Sequence, residues 1–318
     1  MNAGIKLFAL LGLLLGSATL QADNYPPSTV EMELVQVSER AYYVPGAPGT
    51  AIENEGFISN AGVVVTEAGV VVIDALGSPS LAQLLMQKIR NVTDKPVVLV
   101  LVTHYHADHI LGLQYFQEQG AEIVAPAGAE KYLESSVAEE RLEERRFSLE
   151  PWVNEETRLV WPDAYVEGQE VLRLGETTFE LSVIGDAHSD ADMTVYVPSE
   201  GVLYSGDVIF EGRVPFLGSS NTRLWLEALQ RMDSSALQAL VPGHGPHQSA
   251  PVEAVGMTYR YLAFLREKMG QAVDELQPFD EAYAEVDWSE FEALPAFEAA
   301  NRRNAYQVYL SMQGEAFE

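Results

Sequence analysis

A near-continuous apolar run, Pro96-Val97-Val98-Leu99-Val100-Leu101-Val102, leads without a break into Thr103-His104-Tyr105-His106-Ala107-Asp108-His109. A strand that is apolar at every position, rather than at alternate ones, has both faces covered. The chain must therefore place this strand inside layers, with its C-terminal end delivering three imidazoles and a carboxylate to one place. There are only six His in 318 residues, so three within this one short motif form a cluster. On a turn after a strand, His104 and His106 can converge on one point, and Asp108 and His109 can face a second. The chain has no Cys, which excludes disulfides, thiolate zinc sites, cysteine nucleophiles and iron–sulfur clusters. Imidazole and carboxylate are the ligands zinc takes when thiolate is absent.

Three weaker signals each follow a strand-like run. His188 stands in Gly185-Asp186-Ala187-His188-Ser189-Asp190, Asp207 in Tyr204-Ser205-Gly206-Asp207, and His244 in Val241-Pro242-Gly243-His244-Gly245. The glycines beside His244 let the backbone come close to something. Alone, a loop His or a Gly-Asp pair says little. Added to the first cluster, they place chemistry in loops at the ends of several strands.

Periodicity organises the rest. Residues 32–44 alternate as a strand, and 57–66 with 69–76 read as a hairpin. Leu81, Leu84, Leu85 and Ile89 have helical spacing over 80–91, and 109–119 also reads as a helix. Strands are expected at 121–125, 171–174, 177–184, 193–197, 202–204 and 237–242. Helices are expected at 222–232, capped by Asn221 or Thr222, and at 251–277. The last forty residues are aromatic-rich and partly helical. Residues 128–160 break the rhythm as a charged, helical insertion. Strands with a helix, repeated twice, predict two packed sheets with helices outside, an α/β layered sandwich. The length suits one large α/β domain as well as two.

With 19 Lys and Arg against 47 Asp and Glu, the formal charge is −28. Nucleic-acid binding wants a basic surface, as does docking to an anionic membrane, so neither partner is expected. Residues 1–22 place Lys6 before an apolar core from Leu7 to Leu15, then small and polar residues. That is the layout of a secretory signal peptide, cleaved after Ala22 or Ala18, with a core too short to span a bilayer. The expectation is a periplasmic or secreted protein with no stable membrane association once the signal is removed. Residues 23–30 read as an unstructured lead-in.

The histidine and aspartate set resembles that of the metallo-β-lactamase-fold hydrolase superfamily. Thr103 to His109 meets the family's Thr-His-x-His-x-Asp-His motif in full, and His188, Asp207 and His244 follow in the family's order. The resemblance spans about residues 32–248. It implies a four-layer αββα sandwich over 31–250, with the insertion at about 128–160 and a C-terminal helical extension over 251–318. It also implies two zinc ions, with iron or manganese as alternatives. His104, His106 and His188 would hold one, Asp108, His109 and His244 the other, and Asp207 would bridge both. Asp74 matches the aspartate that supports these ligands from behind. A water between two cations ionises near neutral pH and becomes a nucleophile. Asp108 would orient it and pass a proton to the leaving group. His247 reads as a solvated surface residue.

Aspartate at position 207 resembles glyoxalase II, the lactonases and related binuclear hydrolases, whereas the best-known β-lactamases of the fold carry Cys there or lack the bridging carboxylate. The implied function is an exported dizinc hydrolase of a small-molecule ester, lactone, thioester or amide, with β-lactam opening at most a side activity. The alternative is an accessory or iron-dependent redox protein, like the persulfide dioxygenases. The tail residues Asp287-Trp288, Leu294-Pro295-Ala296-Phe297, Asn301-Arg302 and Asn304-Ala305-Tyr306 are similar to those of exported relatives associated with quinoprotein and sulfur-oxidation systems; plain core packing accounts for the same aromatics. The insertion is either a lid, with Phe147, Trp152 and Trp161 as an apolar wall, or a helical hairpin with no part in the site. Arg213, Phe216 and Arg223 are candidate substrate contacts.

Overall fold

The computed structural model describes residues 25–218, 220–232 and 237–316, with the backbone of a two-residue strand, β1 (Leu7–Phe8). Apart from that strand, the expected leader at 1–22 lies outside the described residues. One sheet has seven strands in chain order: β2 (Val35–Gln36), β3 (Ala41–Val44), β4 (Ala61–Val65), β5 (Val70–Ile73), β6 (Val97–Leu101), β7 (Glu122–Pro126) and β8 (Ala164–Val166). The other orders β1, β9 (Gln169–Leu174), β10 (Thr177–Gly185), β11 (Asp192–Val197), β12 (Val202–Phe210) and β13 (Ala239–His244). The helices are α1 (Pro79–Arg90), α2 (Ala107–Ile110), α3 (Leu113–Glu118), α4 (Ala129–Leu133), α5 (Ser136–Ser148), α6 (Thr222–Arg231), α7 (Pro251–Asp274), α8 (Phe279–Glu285) and α9 (Phe297–Glu315).

β6 shows why the layers form. Its side chains alternate between two apolar environments, as the two-residue period of a strand requires. Leu99 and Leu101 enter the space between the sheets, with Val71, Ile73, Phe179, Leu181 and Val195. Val100 and the following Val102 face the opposite way, onto Leu81, Leu85, Ile89 and Phe116 of α1 and α3. On the far side, β12 presents Val208 and Phe210 to Trp225 of α6 and to Tyr261, Leu262 and Leu265 of α7. The order is helix, sheet, sheet, helix. The tail aromatics Phe291, Trp288 and Phe297 join this last cluster. Among the described residues no helix is long and apolar enough to cross a membrane.

Four local expectations need correcting. Residues 32–44 are two strands, β2 and β3, because Val37 and Ser38 both donate to the Ala41 carbonyl and reverse the chain. Alternation continues through the turn, so the pattern hides it. The helix expected over 109–119 is split into α2 and α3. The Gly112 amide donates to the Leu76 carbonyl, and a Cβ on Gly112 would lie 1.9 Å from the Ala75 oxygen. β12 runs on to Phe210, so Asp207 lies inside a bulged strand and His244 ends β13; neither is in a loop after one. The described part of the lead-in, residues 25–30, has no regular structure but is tied down: Tyr25 donates to Glu118 Oε2 at 2.7 Å, and Trp152 Nε1 to the Pro27 carbonyl. At α6 the cap is Asn221, whose side chain accepts from the Leu224 amide at 3.1 Å.

Candidate metal centre

β6 and the turn after it set the first histidines. The Thr103 amide donates to Asp74 Oδ1 at 2.7 Å, and the Thr103 carbonyl accepts from the Met193 amide, which joins the two sheets at this point. His104 Nε2 lies 3.1 Å from His106 Nδ1, and His188 Nε2 lies 2.9 Å from the same atom. Three ring nitrogens thus meet at one point. Burial and the neighbouring imidazoles hold His104 well below its ordinary value and His106 down to about 3. Both are neutral at pH 7 and offer lone pairs.

α2 begins at Ala107 and carries Asp108 and His109 side by side. Asp108 Oδ2 is 3.3 Å from His244 Nε2 and 3.7 Å from His109 Nε2. Asp207 faces both groups: its Oδ2 is 3.2 Å from His188 Nε2 and 3.4 Å from His244 Nε2, and its Oδ1 is 3.3 Å from His109 Nε2. Burial disfavours charge on His109, but Asp207, Asp108 and Asp74 outweigh it and raise this pKa well above the usual one. For His244, Asp207 and Asp108 likewise overcome burial and raise the pKa. Burial pushes the Asp207 and Asp108 carboxyls up, yet the adjacent imidazoles hold both below the ordinary carboxylate range.

Behind the rings, Asp74 serves one histidine of each group. Its Oδ2 lies 2.9 Å from His109 Nδ1 and accepts the Thr103 hydroxyl at 2.7 Å. That leaves a Thr103 lone pair for His104 Nδ1, 3.1 Å away. His244 Nδ1 donates to the Ile58 carbonyl at 2.7 Å. These partners keep a proton on each Nδ1 and turn each Nε2 towards the centre. His188 packs against Trp225 and Phe210, and Phe210 stacks on His244 at 5.2 Å.

The donors fit divalent cations. His109 Nε2 and Asp207 Oδ1 are buried and face each other at 3.3 Å, yet neither makes a hydrogen bond, which is costly unless something satisfies them. Ligand atoms of His104, His106, His188 and Asp207 lie within 4.8 Å of one another, as do those of Asp108, His109 and His244. Imidazoles and carboxylates, with no thiolate, are a zinc-type donor set.

All seven residues selected by sequence come together, with Asp74 behind them. Others do not. His247 packs edge-on against Tyr43, away from the cluster. Arg223 pairs with Glu227 on the surface. Arg213 is buried behind His244, with Phe216 against it. Phe147, Trp152 and Trp161 do not pack into one apolar wall: Phe147 is 92% and Trp161 47% exposed, and Trp152 anchors the lead-in. The insertion instead packs Leu142, Leu149 and Val153 in one cluster with Ala107 and Leu111, steadying α2. Sequence reasoning missed Asp192, which accepts from the Ser189 amide and hydroxyl and shapes the His188 loop; the Ser-x-x-Asp spacing after His188 was its signal. It also missed Asn60, which donates to the Pro242 and Gly245 carbonyls on either side of His244. Nothing local marks that residue.

The family model for the metallo-β-lactamase superfamily matches residues 54–244, and the chain belongs to that family. It is a metal-dependent hydrolase with His and Asp metal-binding groups. It is 23% identical over 251 residues to a type 2 metallo-β-lactamase of Elizabethkingia meningoseptica, covering 75% of this chain and 88% of that one. Its fold is similar to that of a metallo-β-lactamase from Pontibacter korlensis, with a TM-score of 0.57 at 21% identity over 73% of this chain and 99% of that one. It is also similar to a stereoselective inverting sec-alkylsulfatase from Pseudomonas sp., with a TM-score of 0.67 at 17% identity over 88% of this chain and 50% of that one.

Proposed function

We propose that the chain is an exported two-zinc hydrolase that cleaves an ester, lactone, thioester or amide bond in a small molecule. The observation that carries this reading is Asp207, whose two oxygens lie within 3.4 Å of ring nitrogens from both histidine groups. A carboxylate so shared suits two cations side by side. Bound there, two dications supply an acidified water and polarise the bond under attack.

The chain's own residues do the rest. Asp108 is held below the ordinary carboxylate range, so at neutral pH it accepts hydrogen bonds. Its side chain is partly exposed while His104, His109, His188 and His244 are buried, so it faces the side from which substrate arrives. It orients the attacking water through a hydrogen bond and carries a proton to the leaving atom. Asp74 and the Ile58 carbonyl hold the rings still. The relatives' names point to β-lactams, which are strained amides, and their opening is part of this proposal only as a side activity. The layout of residues 1–22 supports export.

The test is metal analysis and a substrate panel of lactones, thioesters, esters and nitrocefin on protein isolated from its own cells, with the mass of its mature N-terminus. About two zinc per chain are expected, with a mature chain beginning after Ala18 or Ala22 and hydrolysis on the panel. Asp108→Asn should lower the rate by roughly 10²–10⁴, the usual worth of a positioned acid–base group. A single iron with dioxygen uptake overturns the reading.

A further inference from the structure

The segment after β12 buries one cation. Arg213 is 3% exposed, and among the described residues it makes no ion pair; its Nε and Nη2 have no hydrogen-bond partner. Its Nη1 lies 3.5 Å from His244 Nδ1, but that nitrogen already donates to the Ile58 carbonyl and gives Arg213 no acceptor. The guanidinium therefore stands on the side of the His244 ring away from Asp108 and Asp207. It is always charged. A buried, unpaired cation is unfavourable unless the surroundings hold it there.

What holds it comes from beyond residue 244, where the family match ends. The Val214 amide donates to the Pro295 carbonyl at 3.0 Å. Buried Asn304 donates through Nδ2 to the Pro215 carbonyl at 2.6 Å, and its Oδ1 accepts from the Leu217 amide at 3.1 Å. Asn304 is itself fixed by Tyr261. The C-terminal helices thus clamp the residues that follow Arg213.

The guanidinium stands against a ring of the second group, His244. Asp74 touches His109 directly and reaches His104 only through the Thr103 hydroxyl; its negative charge offsets part of Arg213's at the second group and is the same whatever stands at position 213. No cationic side chain is placed against His104, His106 or His188 among the described residues. We propose that Arg213, seated by the C-terminal extension, lowers the cation affinity of the Asp108–His109–His244 group, so that the His104–His106–His188 group fills first. This rests on the reading of the two groups as metal sites.

The experiment titrates zinc into the chelator-stripped full chain against a chromophoric competitor and reads two stepwise constants. Asp108→Asn, which removes a donor from the second group, should weaken only the weaker step and so identifies it. Arg213→Gln should tighten that step by about tenfold or more, from the Coulomb repulsion of a nearby fixed charge. Arg213→Lys, which keeps the charge, should stay near wild type. Asn304→Ala should shift the step in the same direction by less, and it carries the test if Arg213→Gln does not fold. An unchanged weaker step in a folded Arg213→Gln, or a Lys variant that behaves like Gln, overturns the inference. A chain that binds no zinc overturns the metal-site reading itself.

Discussion

Asp74→Asn tests whether the groups behind the rings control the centre. Asp74 accepts three hydrogen bonds: the Thr103 amide at 2.7 Å, the Thr103 hydroxyl at 2.7 Å and His109 Nδ1 at 2.9 Å. Its backbone φ is 62°, a left-handed conformation that Asn tolerates as well as Asp, so strain does not enter. If the Asn oxygen keeps the Thr103 amide, its NH2 faces the hydroxyl and His109. His109 must then carry its proton on Nε2, aimed at Asp207. Removing one partner of a buried charged pair costs about 3–5 kcal/mol, and the lost bonds, at about 1.5–3 kcal/mol each, agree with that. Denaturant melts in chelator should show a loss of this size. Zinc affinity should fall about 10–100-fold, the usual effect of losing an outer hydrogen bond to a ligand. Competitive zinc titration measures it. A folded variant with wild-type constants and midpoint refutes the assignment of Asp74.

Gly243→Ala would place a Cβ 1.9 Å from Asp207 Oδ1 and 2.7 Å from the Gly206 carbonyl carbon. Overpacking of this kind costs about 1–3 kcal/mol, and hydrolysis on the substrate panel should be lost with it; full activity contradicts the close approach. Zinc uptake should depend on pH in one group. His109 and His244 have raised pKa values and so keep a second proton to higher pH than a free imidazole, whereas His104 and His106 are already neutral at pH 7. Cation and proton compete, so the second group's affinity rises with pH until both rings are deprotonated, while the first group's uptake releases no proton from His104 or His106. Calorimetry in two buffers of different ionisation heat should show net proton release in the weaker step; none released contradicts the raised values.

Much of this centre was legible in the chain. β6 is apolar at every position, so it had to lie between two covered layers, and its end had to present Thr103 to His109. Those are local properties, carried by composition and a two-residue period. The elements misread were those in which the pattern does not change where the backbone does. Alternation runs through the turn at Val37–Arg40, and helical spacing runs through the break at Gly112, because the cause of that break is a carbonyl on a distant segment, Ala75.

By itself the sequence determined the donor types, their order and the strand end that carries Thr103 to His109. With Cys absent, it also determined that Asp occupies position 207. Tertiary structure decided the rest: that Asp207 faces both groups, that Asp74 stands behind a ring in each, that the insertion braces α2 rather than walling the cleft, and that Arg213 sits behind His244 rather than facing substrate. Each of these depends on residues far apart in the chain, such as Ile58 with His244 or Asn304 with Pro215. Such pairs meet only once the two sheets have packed, because hydrogen-bond direction and burial are properties of that packing and not of any local run of residues.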